Sequence, residues 1–458
     1  MGKLFGTDGV RGIAGKYPLD EKTVRTIGVA AAKVLVTEKS RSHPILIGCD
    51  TRESSLWIVK ALKSALSSHG VVVWDLGVIP TPGVAFLVKK YPALAGIVVS
   101  ASHNPYRYNG IKFFSHKGIK LQDAVELKIE EEIERMSSQP QALRADRLVK
   151  SRSKLALNGE YLDFLKSTFP KKLSLKGMKI VIDCANGATC AIAPRLFRSL
   201  GAKVVSVNAS PDGKNINEHC GSLHPEKLSG AVLENGAECG IAFDGDGDRV
   251  MFVDETGEIR DGDFFLSIIA KYLKGKGRLR NNTLVTTVMA NLGLFKAMKE
   301  NGIDVIQTKV GDRYVFEKMT ELDAAVGGEQ SGHVIFKKLL PTGDGMLSAL
   351  QFLAAVRDTG SKISELAGVM KKYPQVLLNT DVEKKVPIEK LLETTKMIKA
   401  TEKTLNSDGR VLVRYSGTEN LLRVMIEGLD KKMIDNMAKN IVDTAKNEIA
   451  NFKLQIGN

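Results

Sequence analysis

No stretch of this 458-residue chain is apolar over enough residues to span a bilayer. Behind Met1 come Gly2, Lys3 and polar, Gly-rich sequence in place of the apolar core of a secretion signal. A membrane-spanning or exported protein is therefore not expected, and the cytoplasm is the expected compartment. Cysteine is scarce: Cys49, Cys184, Cys190, Cys220 and Cys239 are an odd set without a C-x-x-C pair, which argues against a disulfide framework and a zinc ribbon. Long basic runs are missing as well. The formal charge of +14 favours anionic partners, but it is spread along the chain in short runs such as Lys171 and Lys172. That spread suits phosphorylated metabolites or a solvated mixed-charge surface better than nucleic acid.

What is present suffices for several cores. Apolar residues at 43% and charged residues at 26% sit at globular averages. A chain of this length exceeds what one core serves, and about 150 residues per domain gives three or four domains. Apolar β-branched bursts alternate with helix-like stretches up to about residue 150: Ile45 to Gly48, a run through Leu66, Val71 to Trp74, and Ile97 to Ser100. The alternation returns with Lys179 to Asp183, a turn at Asn186 and Gly187, a helix to Leu200, and Lys203 to Val207. It returns a third time with Thr283 to Met289, a helix from Leu292 to about Glu300, Asp304 to Gln307, and a helix around Met346 to Arg357. After Tyr373 and Pro374 the composition shifts toward Lys and Glu. The expected fold class is α/β: three similar α/β domains with mixed sheets (1–155, 156–254, 255–370) and a smaller C-terminal α+β domain (371–458). Met433, Ile434, Met437, Ile441, Val442, Ala445 and Ile449 form the core-facing stripe of the last helix.

One local design recurs. An apolar run enters a polar, Gly-rich loop and another apolar run leaves it in Gly96 to Phe114, Gly240 to Val253, Ala324 to Phe336 and Val411 to Ile426. Any β-turn-β connection has this outline, so the chemistry of each loop must decide. In the first, Ser102 follows a strand in the run Ser100-Ala-Ser-His-Asn-Pro105, at the strand's carboxyl end where α/β sheets bind ligands. A lone serine there is ordinarily a turn former or a cap.

The second loop, Asp244-Gly-Asp-Gly-Asp-Arg249, sets three carboxylates at alternate positions, able to converge hard oxygens on Mg²⁺. An EF-hand is rejected: its sixth position needs glycine and here is Arg249, and the flanks read as strands. A metal-dependent phosphatase remains open from this loop alone. In the third, Glu329, Gln330, Ser331 and His333 offer a carboxylate, an amide, a hydroxyl and an imidazole, the groups of a polyol reader. His333 is equally at home as a satisfied histidine at a strand end. In the fourth, Arg414, Ser416, Gly417 and Thr418, with Arg423 beyond, are phosphate-binding parts, or a capped turn with surface arginines.

Together the loops closely resemble the α-D-phosphohexomutase family, in the family's order and over nearly the whole chain. The segments Leu4 to Gly12 (LFGTDGVRG), Lys309 to Val315 (KVGDRYV) and Gly328 to His333 (GEQSGH) resemble its glucosamine-phosphate branch. Gln330 stands where the phosphomannomutase/phosphoglucomutase branch typically has Met. The resemblance implies one loop from each domain around a central cleft, with Ser102 as phosphoserine and Ser102, Asp244, Asp246 and Asp248 as ligands of one Mg²⁺ per site. It implies Glu329, Gln330 and Ser331 as sugar readers, and Arg414, Ser416, Gly417, Thr418 and Arg423 as the phosphate loop. Arg11, Arg249, Lys112 and His333 complete the catalytic set, the last two as acid/base candidates.

Tyr415 and Asn420 stand where the family commonly has proline, which bears on that loop's rigidity. The activity implied is interconversion of glucosamine 6-phosphate and glucosamine 1-phosphate through a 1,6-bisphosphate, feeding UDP-N-acetylglucosamine and cell-wall precursors. The expected partner is a small-molecule sugar phosphate, with neither nucleic acid nor membrane, in a possible homodimer. The alternatives are a phosphomannomutase/phosphoglucomutase and, from another class, a basic nucleic-acid-binding protein.

Overall fold

The structure, a computed structural model, describes residues 4–6, 8–37, 42–138, 151–416 and 420–451. The chain divides into two compact units, one of Met1–Met289 with Asn301–Val369 and one of Ala290–Glu300 with Met370–Asn458. Three sheets build the first unit. The first contains β1 (Val10–Ile13), β2 (Ile45–Cys49), β3 (Val73–Val78), β4 (Ala95–Val99), β5 (Tyr108–Ser115) and β6 (Ser151–Ser153), in the order β1-β5-β4-β2-β3-β6. The strands β2 and β4 are parallel and buried at every residue, as an apolar run covered on both faces requires. The following strand, β5, turns back antiparallel to β4 and also pairs antiparallel with β1.

The second sheet contains β7 (Lys179–Asp183), β8 (Lys203–Val207), β9 (Cys239–Phe243), β10 (Val250–Asp254) and β11 (Ile259–Arg260). Here β7 is parallel to β8 and β9, and β10 returns antiparallel to β9. The third has β12 (Thr283–Thr287), β13 (Asp304–Thr308), β14 (Val326–Gly328) and β15 (Val334–Phe336). In it β12 is parallel to β13 and β14, and β15 is antiparallel to β14. Each sheet thus carries its polar loop between an antiparallel pair appended to parallel strands, and the loops start from buried strand ends.

Within this unit Asp344 caps the helix Gly345–Thr359, accepting the Leu347 N–H at 2.9 Å and the Tyr161 hydroxyl at 2.7 Å. Burial pushes the Asp344 carboxyl up from 3.8 to about 6, although these two donors favour the ion. The proton it retains in the folded state contributes stability that is full below pH 3.8 and is lost as the pH rises through about 6. That shift corresponds to about 3 kcal/mol. Asp344→Asn mimics the protonated form. Thermal melting should show it level with the parent near pH 4 and more stable at pH 8, and a gap independent of pH would contradict the assignment.

The second unit is an antiparallel sheet of β16 (Gln375–Asp381), β17 (Arg410–Tyr415) and β18 (Leu421–Glu427), in the order β16-β18-β17. The helix Lys431–Asn451 buries Ile434, Ala438, Ile441, Val442, Ala445 and Ile449 against it. Burial of each large aliphatic side chain contributes roughly 1.5–3 kcal/mol. The expected stripe is narrower than its sequence suggests: Met433 is exposed, and Ala438 takes a core position.

The sequence makes the helix Leu292–Glu300 the connection between β12 and β13, yet it belongs to this second unit. The cause is Glu427, a fully buried carboxylate that accepts from Leu292 N–H at 3.0 Å, Asn291 Nδ2 at 2.9 Å and Arg410 Nε at 2.5 Å. An anion at a helix start is favoured by the exposed N–H groups and the dipole.

Candidate active site

Ser102 occupies the β4–β5 loop and is 1% exposed. Its hydroxyl donates to Asp244 Oδ2 at 2.6 Å, joining residues 142 positions apart. Asp244, Asp246 and Asp248 lie in the tight loop between β9 and β10, helped by Gly247 at φ +73°. Each offers one oxygen, all within 4.8 Å of one another, and all three residues are buried. The strand flanks agree with the rejection of an EF-hand.

Three buried carboxylates at this distance repel one another, and a cation held between them would relieve that repulsion. Burial, together with the charges of Asp248 and Asp246, pushes the Asp244 carboxyl well above its ordinary value. Asp246 Oδ1 and Asp248 Oδ1 are buried without a hydrogen-bond partner, a state that costs free energy unless a ligand is taken up. The residues therefore fit a hard divalent cation such as Mg²⁺.

The second oxygen of Asp246 is spoken for. It accepts from Thr81 Oγ1 at 2.5 Å and from Lys112 Nζ at 2.8 Å. Lys112, on the buried strand β5, also pairs with Asp8 at 3.1 Å. Burial opposes its charge, but Asp246 and Asp8 outweigh burial and raise its pKa, so Lys112 stays a cation. Asp8 sits in the turn before β1 and pairs with Arg11 and with Lys120, the latter at 2.5 Å. Lys120 in turn meets Asp312 at 2.9 Å.

His333 closes the chain of charges, with Nε2 3.4 Å from Asp312 and Nδ1 3.6 Å from Asp248. Burial lowers its pKa, yet Asp248 and Asp312 win and raise it to about 9. The Gly343 N–H donates to Nε2 at 3.1 Å, which favours the neutral ring. Backbone donor and flanking carboxylates thus pull His333 in opposite directions.

Negative and positive groups alternate from Asp246 through Lys112, Asp8, Lys120, Asp312 and His333 to Asp248. A cation held by the triad would complete the alternation. Asp8, Lys120 and Asp312 carry no role in the sequence reading. Asp8 and Asp312 lie in motifs that show the resemblance, but Lys120 has no sequence signal, because its Asp312 partner is 192 residues away.

Glu329 shapes the third loop, between β14 and β15. Its Oε1 accepts from Gly311 N–H at 3.0 Å, and its Oε2 accepts from Ser331 Oγ at 3.3 Å. Gln330 Nε2 is buried without a hydrogen-bond partner. Arg249 N–H donates to Asp244 Oδ1 at 3.2 Å, and its Nε is 3.9 Å from Asp248 and also lacks a hydrogen-bond partner. Next to Ser102, burial and the charges of Arg249 and Arg11 push His103 down to about 4, so it is neutral at neutral pH.

The structure therefore brings Ser102, the three Asp, Lys112, Arg249, His333, Arg11 and the Glu329–Ser331 loop into the first unit. In the second unit, β17 and β18 place Arg414 opposite Arg423. Burial and the Arg423 charge lower the Arg414 pKa, a repulsion that a bound anion would relieve. Gly417 and Thr418 lie outside the described residues. The flanks of that loop are anchored without proline: Tyr415 OH donates to Val386 O at 2.6 Å, Ser416 N–H to Leu421 O at 2.8 Å and Lys385 Nζ to Ser416 O at 2.8 Å.

Comparisons with known proteins give the class. Phosphoglucomutase/phosphomannomutase alpha/beta/alpha domains I, II and III match residues 2–140, 159–257 and 261–373, and the C-terminal domain of the same family matches 377–444. The chain belongs to this family of hexose-phosphate mutases and is an isomerase. Relatives named phosphoglucosamine mutase include that of Syntrophotalea carbinolica, 49% identical with 98% of each chain covered. That of a Geobacter species is 50% identical over 98% of this chain and 99% of its own. A phosphoglucomutase/phosphomannomutase family protein from Burkholderia thailandensis shares the fold with a TM-score of 0.77, 25% identity and 97% of each chain covered.

Proposed function

We infer that the chain interconverts glucosamine 6-phosphate and glucosamine 1-phosphate, with Ser102 as the phosphoryl carrier. The observation that carries this reading is the 2.6 Å contact of Ser102 Oγ with Asp244, at the edge of a buried carboxylate triad that could hold a cation. In the first half-reaction the P–O bond of phospho-Ser102 breaks as one forms to O1 of the sugar. The O1 hydroxyl loses its proton and Ser102 Oγ gains one. The resulting 1,6-bisphosphate turns around, its O6–P bond breaks as one forms to Ser102 Oγ, O6 takes up a proton as Oγ gives up its own, and glucosamine 1-phosphate leaves with no net phosphate consumed.

Asp244, Asp246 and Asp248, with the phosphoserine, would hold one Mg²⁺, which when bound neutralises charge on the transferring phosphoryl group. Lys112, kept cationic by Asp8 and Asp246, and Arg249 add positive charge beside it. His333, set between Asp248 and Asp312, is placed to give and take the hydroxyl proton. Arg11 braces Asp8. Glu329, Gln330 and Ser331 read the sugar: the Glu329 carboxylate suits an amino group and Gln330 Nε2 has a donor to offer. Arg414, Ser416, Gly417, Thr418 and Arg423 bind the distal phosphate, consistent with two cationic side chains facing across one strand pair.

We further propose that the enzyme is cytoplasmic and homodimeric and acts on a small sugar phosphate rather than on nucleic acid or membrane. Among the described residues no helix is long and apolar enough to cross a bilayer. Glucosamine as the sugar is supported by the names of the relatives and by Gln330. Turnover measured on the 6-phosphates of glucosamine, glucose and mannose should favour glucosamine by about 100-fold in kcat/KM, the range of one hydrogen bond to a charged group, about 1.5–3 kcal/mol. Equal turnover on all three would transfer the assignment to a phosphomannomutase/phosphoglucomutase. Phosphate release at each cycle would make it a phosphatase.

A further inference from the structure

Ser102 is held in a conformation its residue type does not favour. Its φ is +52°, the left-handed region where Cβ crowds the backbone, so the surroundings must fix it there. Two side chains converge on its carbonyl oxygen. Arg52 Nη2 donates to Ser102 O at 3.0 Å and to Asn104 O at 2.8 Å. Asn217 Nδ2 donates to the same two oxygens at 2.9 and 3.1 Å. Arg52 follows β2, whereas Asn217 comes from the segment between β8 and β9, so each of the first two sheets supplies one donor.

Arg52 is wholly committed to this loop. It is 1% exposed, and its remaining donors go to Asp50 Oδ2 at 2.8 Å, Pro105 O at 2.5 Å and Tyr108 O at 2.9 Å. A guanidinium has five donors, and here all are used. Asp50 balances the charge and reaches the loop from its other side: its Oδ2 accepts from Ser100 Oγ at 2.7 Å, and Ser100 Oγ accepts the Ser102 N–H at 2.9 Å. Both backbone polar groups of Ser102 are thereby fixed. The metal loop abuts the same point, since a Cβ on Gly245 would lie 2.7 Å from Ser102 O and 2.7 Å from Asn217 Nδ2.

We propose that Arg52 and Asn217 are positioning residues for phosphoryl transfer, clamping the Ser102 carbonyl from two sides so that Oγ returns to one place against Asp244 after each half-reaction. The proposal rests on Ser102 being the phosphoryl carrier. Without the clamp, Ser102 relaxes toward negative φ and its Oγ swings away from Asp244. Glu329, Gln330 and Ser331, the proposed sugar readers, are untouched. The loss therefore falls on kcat and on the rate of serine phosphorylation, and KM stays.

Asn217→Gly removes both donated hydrogen bonds yet accepts the φ of +58° at that position. Arg52→Lys keeps the charge but cannot serve four carbonyls. The full-length variants, with Ser102→Ala in parallel, are assayed for turnover, for the rate of Ser102 phosphorylation by a hexose 1,6-bisphosphate, and for melting temperature. Asn217→Gly should stay folded, melting within a few degrees of the parent, and lose about 10- to 100-fold in kcat and in phosphorylation rate, with KM within about twofold. Unchanged rates overturn the proposal, as does a loss accounted for by KM. Should Arg52→Lys fail to fold, Asn217→Gly decides alone. Turnover by Ser102→Ala would remove the carrier reading and the clamp with it. An inactive Ser102→Ala beside a fully active Asn217→Gly would remove the clamp only.

Discussion

Ser102→Ala abolishes turnover by at least about 10⁴-fold, the scale on which serine enzymes respond to loss of their nucleophile. The change deletes one oxygen. Asp244 loses its 2.6 Å donor but keeps the Arg249 N–H at 3.2 Å, so the cost to folding is about 1 kcal/mol. Ala meets the same backbone strain at φ +52° as Ser does. On the proposed roles of Glu329 and Gln330, which the change does not touch, sugar phosphate should still bind, and calorimetric titration of the variant checks this. A variant that neither turns over nor binds would point to misfolding. One that binds and turns over would remove the serine from the chemistry.

Removal of divalent cations lowers turnover by at least about 10³-fold, and added Mg²⁺ restores it. The magnitude follows from the several kcal/mol of charge stabilisation that a metal supplies to a transferring phosphoryl group, at about 1.4 kcal/mol per decade. The electrostatics of the triad explain the direction. Asp244 is driven toward protonation by burial and by its two neighbours, and Asp246 and Asp248 each leave one buried oxygen without a partner. Cation binding relieves both conditions, so Mg²⁺ should also raise the melting temperature. The stabilisation is about 2.7 kcal/mol at 100 times the dissociation constant. Asp248→Asn should shrink that rise together with turnover. Full activity in the presence of chelator, or a melting temperature indifferent to Mg²⁺, would contradict the role given to the triad.

Local features carried most of what was legible in the sequence. The alternating Asp and Gly of residues 244–248 have few uses other than a cation site, and the apolar runs around them are the antiparallel strands β9 and β10. The buried run Ile97 to Val99 marks β4, and with it the loop that bears Ser102.

Long-range pairings were not legible. Lys120 looks like any surface lysine until the fold sets it between Asp8 and Asp312. Arg52 looks like a polar residue at the start of a helix, and its burial beneath the Ser102 loop depends on the parallel pairing of β2 with β4. The helix Leu292–Glu300 has an ordinary amphipathic pattern, and the buried carboxylate that assigns it to the C-terminal unit, Glu427, lies 135 residues from Leu292. Periodicity of one, three and four fits two overlapping stripes, and the core beneath the helix takes the one containing Ala438, which leaves Met433 exposed.

The most direct measurement of the carrier role is peptide mass spectrometry of the purified wild-type protein. It is taken before and after incubation with a hexose 1,6-bisphosphate, and again after addition of glucosamine 6-phosphate. A phosphate is expected on the Ser102 peptide after the first step and its transfer to the sugar in the second, with no inorganic phosphate released. A Ser102 that stays unmodified throughout, or a label that leaves as inorganic phosphate, would contradict the carrier role.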